Sequence, residues 1–318
     1  DALPIWVELA CTTKFKFKQV GYVVARVCGL CAIVHSTCYT LACEELLGLE
    51  APRRASYLRI IANELDRIHS HLLCLAHTAE NAGFEALFMR TMKDRELIME
   101  AQETLTGNRV QFDYVCIGGV NKDVTTDIER VVKEKLTLLK QKVAEIEELF
   151  LNNWSLSLKY KGVGTITTES ALRCSVLGPL ARASGVDFDV RNESDYLPYK
   201  ELGFKSVIEG SGDVHARNMV RLREVFESIR LIEAALDGLP EGEIASKVKG
   251  APEGESYMRV EAPRGECFYY LKGSKGQYLD RVRIKTPTFG SVPAMVEALT
   301  GQNYADAPAI IASFDPCL

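Results

Sequence analysis

No run of about eighteen apolar residues occurs in the 318-residue chain, so nothing in it is built to cross a bilayer as a helix. The first residues lack the basic start and apolar stretch of a secretory signal. A net positive charge is missing too. The balance is −5, and no nucleic-acid partner is expected. There is no GxGxxG and no phosphate-binding loop. Internal repeats and low-complexity tracts are absent. Ten cysteines in a chain of this length are too few for a disulfide scaffold, which points to a reducing, cytoplasmic setting.

Against those absences one stretch stands out: Arg26, Cys28, Gly29, Cys31 and His35. The two thiols are three positions apart, which brings both sulfurs to one side of a turn or helix start. Gly29 leaves room for a tight turn or a close ligand. Arg26 and nearby backbone N–H groups favour thiolate over thiol. Alone, the pair reads as half a zinc site, a redox dithiol, an iron–sulfur ligand pair or two inert core cysteines. A zinc site needs a second pair, and the chain has no other Cys-x-x-Cys. A thioredoxin-like dithiol expects a βαβ context, whereas the flanks here look helical. Cys11, Cys38, Cys43, Cys74, Cys116, Cys174 and Cys267 are expected as small buried hydrophobes.

The chain as a whole reads as mainly α with a smaller α+β part. Residues 1–25 form an N-terminal segment, in which Lys14 to Lys18 alternate charge and aromatic as a short strand would. A helix is expected over 36–50, ending at Gly48. The next is the most regular, with Leu58, Ile61, Leu65, Ile68, Leu72, Leu75 and Ala79 on one stripe. Its charged residues, Asp66 and Arg67 among them, are expected on a solvated face. His69 and His71 are two apart, so they face different sides and make a poor metal pair. Further helices are expected over 84–110, over 126–152 and after Asp213. Gly118 to Val120 reads as a loop. Residues 163–213 look irregular, with a short turn-bounded helix between Gly178 and Gly185. Past 240, Tyr257–Glu261, Glu266–Leu271 and Leu279–Lys285 read as strands. Short helices follow over 291–300 and 305–312. The helical core spans 26–240 and the α+β part 241–318.

The motif at Arg26 to His35 resembles the first cysteine motif of the large subunit of [NiFe] hydrogenases, R-x-C-G-x-C-x-x-x-H, at every fixed position. Asp315, Pro316 and Cys317 match the first three positions of that family's closing D-P-C-x-x-C. The sequence ends at Leu318, two positions before the expected fourth cysteine. The resemblance covers roughly residues 22–318 and extends to the energy-converting, membrane-bound hydrogenases. Against the solvated reading of Asp66 and Arg67, the resemblance implies that their helix passes near the metal centre, and Glu64 to His71 also resembles the matching helix in the quinone-side catalytic subunit of respiratory complex I. Complex I lacks the metal cysteines, and three of the four are here, which favours hydrogenase.

The resemblance implies a long-helix bundle core and a Ni-Fe centre, the iron carrying CO and cyanide. Cys28 and Cys317 would be terminal nickel ligands, and Cys31 a bridging one. Arg264 would stand over the open metal position and support proton transfer. The plainer alternative is an arginine flanking a turn. Pro263 would help wall the pocket. His35 would donate a hydrogen bond to a bridging thiolate, or else be a satisfied core histidine. Asp315 would cap the last turn or pair with Arg26. The family's proton-relaying glutamate has no clear match, and Glu8 is not assigned to it. No ferredoxin-type cluster motif occurs, so electrons would leave through an iron–sulfur small subunit to a ferredoxin-type carrier. Integral membrane ion-pumping subunits would hold the chain on the cytoplasmic face of the cell membrane. Two other readings stay open: a complex I-like quinone oxidoreductase subunit and a non-catalytic structural relative.

Overall fold

A computed structural model describes residues 3–317. Helix α1 (Leu3–Thr13) is followed by α2 (Phe17–Val24), so the expected strand at 14–18 is a helix start instead. The reason is local. Lys16 is extended and acts as the N-cap, and its N–H donates to Gln19 Oε1 at 3.2 Å. Phe17, Val20 and Val24 then fall on one buried helical face, a spacing that two aromatics alone could not reveal. Helix α3 (Ala32–Leu47) starts from Cys31 and stops at Gly48, whose φ of +58° suits glycine.

Helix α4 (Arg53–Asn81) is the axis of the molecule. It packs against α3 and against α5 (Glu85–Thr106). The expected loop around Gly118 is a tight antiparallel pair, β1 (Val115–Cys116) with β2 (Gly119–Val120). Helix α6 (Thr126–Asn152) packs on α5 with Ile128, Val132, Leu136, Leu139, Val143, Ile146 and Phe150 inward. The helices α7 (Trp154–Tyr160), α8 (Thr168–Arg173), α9 (Pro179–Ala183) and α10 (Val190–Glu193) punctuate the irregular stretch. Asp213 caps α11 (Val214–Asp237) by accepting from Ala216 N–H at 2.7 Å. Helix α11 closes the bundle against α4 and α6.

The α+β part is one antiparallel sheet in the order β3 (Glu253–Ala262), β4 (Gly265–Ser274), β5 (Arg281–Lys285). Its inner face packs on α3. Helices α12 (Val292–Leu299) and α13 (Ala307–Phe314) return the chain to α4. No helix among the described residues is long and apolar enough to cross a membrane.

The solvated face expected on α4 does not exist. Glu64, Asp66, Arg67, His69 and His71 are all 0% exposed, because α3, α5, α11, α13 and the β2 hairpin surround the helix. Glu64, Arg67 and His71 find partners inside the protein. Arg67 Nε pairs with Glu64 at 3.1 Å. Arg182 Nη1 pairs with Glu261 at 2.9 Å and its Nη2 with Glu224 at 2.7 Å. Arg67 also donates to the carbonyls of Glu261 (2.7 Å) and Ala262 (3.2 Å), which ties the end of β3 to the bundle. Cys11, Cys38, Cys43, Cys74 and Cys267 are buried as expected, but Cys116 and Cys174 are only half-buried, lying in a short edge strand and at a helix end.

Candidate metal centre

Three cysteines from the two ends of the sequence meet at the N-terminus of α3. The Sγ atoms of Cys28, Cys31 and Cys317 all lie within 4.8 Å of one another. Cys31 and Cys317 approach to 3.6 Å. Cys28 Sγ also accepts from Leu30 N–H at 3.4 Å, in the turn that precedes the N-cap of α3. Cys317 arrives because α13 ends at Asp315, whose left-handed φ of +53° redirects the backbone. Cys317 N–H then donates to Thr288 Oγ1 at 2.9 Å.

The sulfurs share charge unequally. The neighbouring thiols of Cys31 and Cys317 pull Cys28 far below the usual thiol range, against burial and with help from the Arg264 cation. Cys31 and Cys317 are pushed up, chiefly by the nearness of Cys28. The trio thus titrates as one unit with a thiolate centred on Cys28. A soft metal is the natural replacement for the two remaining protons.

Arg264 stands beside this thiolate, fixed from three sides. The β3–β4 pairing puts Ala262 opposite Gly265, so Pro263 and Arg264 form a two-residue turn. Both are buried. Arg264 Nε donates to Asp315 O at 2.9 Å, Nη2 to Asp315 Oδ1 at 2.8 Å and Nη1 to Ser70 Oγ at 2.8 Å. Burial disfavours the cation, but Asp315 and the cysteines more than offset that and hold it protonated. The arginine is therefore no ordinary turn-flanking residue. Asp315 neither caps through its side chain nor pairs with Arg26, since Arg264 takes its carboxylate. Arg26 lies at the surface against Asp113 at 3.1 Å. The cation that favours the Cys28 thiolate is accordingly Arg264.

Gly178 lets the turn sit this close to α9. A Cβ at Gly178 would lie 2.3 Å from Gly265 Cα and 2.8 Å from Arg264 O. Asp66 completes the surroundings. Burial first, and the Cys28 charge second, push its carboxyl well above the usual range. It faces the N–H groups of Ile33 and Val34 too loosely for hydrogen bonds, and neither oxygen has a partner among the described residues. Ser70 lies one helical turn on from Asp66, on the Arg264 side of α4. Read alone, a charged string on a helix looks like surface; the resemblance placed this helix near the metal centre but gave neither residue a role. The mixture of signs with two histidines along a 29-residue helix was the available signal.

His35 is wholly buried, and its Nδ1 meets Tyr269 Oη at 2.8 Å and Cys267 Sγ at 3.6 Å. No hydrogen bond to a thiolate is formed in the described residues, and Nε2 has no partner there. Glu8 lies away from the cysteines, accepting from Ile284 N–H at 2.7 Å and from Arg283 at 2.9 Å.

A helical core that draws cysteines from both chain ends under one buried cation is a set of donors that could hold a soft metal. Comparison with known proteins gives the family. Residues 81–251 and 244–318 match the family described as "Respiratory-chain NADH dehydrogenase, 49 Kd subunit", and residues 14–80 match "Nickel-dependent hydrogenase". The membrane-bound hydrogenase subunit alpha of Pyrococcus furiosus is 35% identical, over 95% of this chain and 75% of that one. The carbon monoxide-induced hydrogenase of Rhodospirillum rubrum is 35% identical, over 96% and 85%. An NADH-quinone oxidoreductase subunit of Koribacter versatilis is 33% identical, over 97% and 84%. The chain belongs to this oxidoreductase family of hydrogenase large subunits and complex I 49 kDa subunits, as an energy-converting hydrogenase-related member.

Proposed function

We propose that this chain is the catalytic subunit of a [NiFe] hydrogenase that oxidises H2 and reduces protons reversibly. The observation that carries the reading is the meeting of Cys28, Cys31 and Cys317 within 4.8 Å, beside a buried Arg264. Three sulfur donors fit nickel and a low-spin iron better than any hard cation. Cys28, Cys31 and Cys317 would hold such a centre, with CO and cyanide completing the iron and a fourth thiolate expected two positions past Leu318. When bound, the centre supplies the redox chemistry that separates H2 into protons and electrons.

The protein groups handle charge and protons. Cys28 Sγ, the most acidic thiol of the trio, is the nearest base. Arg264 keeps its cation in a dry site because Asp315 and Ser70 fix its guanidinium, so it can stabilise negative charge without losing a proton. Asp66, held protonated by burial, can pass a proton on through an oxygen that no other described residue engages. Pro263 helps wall the site and exclude water.

Electrons would leave through an iron–sulfur small subunit to a ferredoxin-type carrier. Integral membrane ion-pumping subunits would anchor the chain peripherally on the cytoplasmic face. The printed name of the Pyrococcus furiosus relative, a membrane-bound hydrogenase subunit, supports that setting. A complex I-like quinone role is the second reading, favoured by the 49 kDa family match over residues 81–318. Purified complex decides between them. Hydrogen-dependent reduction of ferredoxin, with CO and cyanide bands in the infrared, is expected. Quinone-linked turnover with neither bands nor H2 uptake would replace the hydrogenase reading with the second one.

A further inference from the structure

The ring of His35 is held by groups from the far side of the α3–sheet interface, and their chemistry dictates where its proton sits. Tyr269 is 0% exposed, and its ring meets that of His35 edge-on with centroids 5.9 Å apart. Its hydroxyl has one partner among the described residues, Nδ1 of His35 at 2.8 Å. Burial pushes the phenol well above its ordinary range, so the hydroxyl keeps its proton. That proton has nowhere else to go in the described structure, and a buried donor left unmade is costly. Cys267 faces the same nitrogen, with Sγ at 3.6 Å from Nδ1, and burial keeps it a thiol as well. Two donors therefore converge on Nδ1.

We infer that Tyr269 is a positioning residue: its hydroxyl, with the Cys267 thiol behind it, makes Nδ1 of His35 an acceptor and so fixes the proton on Nε2. Burial disfavours the cationic ring, while charge on Cys267 and Cys28 would raise it above its ordinary value; with Cys267 kept a thiol the ring is neutral and has one N–H, and two donors on one nitrogen leave that proton on the other. Nε2 is the atom with no partner among the described residues. His35 lies one turn beyond Cys31, its N–H donating to Cys31 O at 3.2 Å. Helical side chains lean toward the N-terminus, which carries the ring toward the cysteines. The ring is close enough to Cys28 for each to feel the other's charge. The orphan Nε2–H is thus the one donor the ring has left to offer. On the hydrogenase reading its acceptor would be a ligating thiolate, and such a bond would withdraw electron density from the sulfur and tune the metal it holds.

The effect on a metal rests on the hydrogenase reading, whereas the tautomer does not. The test is nitrogen-15 NMR of the full chain labelled at its histidines, the His35 signals assigned by their loss in His35→Gln. Nε2–H is expected in the wild type, and Nδ1–H would overturn the inference. In Tyr269→Phe the Nε2–H population should fall, and CO and cyanide bands of the loaded protein should move to lower frequency at unchanged nickel content. An unmoved tautomer in Tyr269→Phe would also overturn it. In Cys267→Ala the tautomer should persist, because Tyr269 remains. A switch there would assign the role to the thiol instead and overturn the claim for Tyr269, even if Tyr269→Phe fails to fold. Wild-type protein without infrared bands would sink the nickel–iron reading and leave the tautomer result standing.

Discussion

Cys31 and Cys317 are 286 positions apart in the chain, yet their sulfurs lie 3.6 Å from each other. Both belong to a trio whose negative charge settles on Cys28, and Cys28 alone of the three is half-buried rather than buried. Thiolate character and access together set thiol reactivity. In metal-free protein, a small alkylating agent should therefore modify Cys28 first among the ten cysteines. Cys11 and Cys43, each pushed up to about 12 mainly by burial, should stay unmodified in the native state. Peptide mass mapping reads the order, and bound metal should protect Cys28. Labelling that begins at a buried core cysteine would contradict the charge distribution.

The Arg264–Asp315 pair joins the β3–β4 turn to the last residues of the chain. Removing one member of a buried pair strands the other, at about 3–5 kcal/mol. Asp315→Ala should lose that much stability in denaturant unfolding and loosen Cys317 as well. Arg264→Lys should not rescue function in the native background, since an ammonium cannot reach Asp315 O, Asp315 Oδ1 and Ser70 Oγ from one plane.

Gly178 holds a φ of +70° with the backbone of Gly265 against it. Gly178→Ala adds left-handed strain of about 1–3 kcal/mol to a collision with main chain that cannot rotate away. A lowered melting temperature is expected, along with reduced H2 turnover, because the displaced atoms belong to the turn that carries Arg264. Gly162→Ala is the control. It has a similar φ of +75° but nothing within 4 Å of its Cβ, so it should show the strain without the loss of turnover.

Acid should weaken the fold through buried histidines. Burial holds His71 down to about 4 from 6.5, despite its bond to Glu224, and holds His69 down to about 3, with Arg95 adding repulsion. The unfolded chain binds those protons near pH 6.5 and the folded chain does not. Stability is thus fully present above that pH and falls as the pH drops toward the folded values. Each histidine contributes about 1.4 kcal/mol per pH unit in that window. Glu224 acts in the same direction at lower pH. Burial raises its carboxyl, but Arg182 and His71 hold it well below the usual range, and its contribution goes as pH falls through the folded value. Asp66 and Glu261, raised mainly by burial, act in the opposite direction over the same range, so the histidine share is read as the difference between the natural protein and His71→Gln in unfolding curves from pH 7 down to 5. The variant should lose less stability on acidification, and an unchanged pH dependence would contradict the assignment.

Much of the fold could be read from sequence. The α4 stripe, the helix over 126–152, the helix after Asp213 and the β3–β4–β5 strands all announced themselves through periodicity and turn residues. So did the two cysteine motifs, because their spacing is unusual. What stayed hidden depends on neighbours distant in sequence. Asp66 and Ser70 look like surface positions until α3, α13 and the sheet close around α4. Tyr269 reads as one more alternating strand residue until β4 is laid on α3. Asp315 reads as a cap of its own turn or a partner of Arg26, and it meets Arg264 instead because the end of α13 lies against the β3–β4 turn. The Lys14 to Lys18 alternation failed because two turns of helix with a Gln19 cap outweigh a strand-like pattern of five residues.

X-ray absorption at the nickel edge, on the natural protein and on Cys317→Ser, reads whether Cys28, Cys31 and Cys317 together hold nickel. The account predicts a nickel site dominated by sulfur in the natural protein, with iron present in equal amount. In Cys317→Ser it predicts that this signal is lost while the helical content is kept. Natural protein that holds zinc or no metal, or nickel bound by nitrogen and oxygen alone and indifferent to Cys317→Ser, would contradict it.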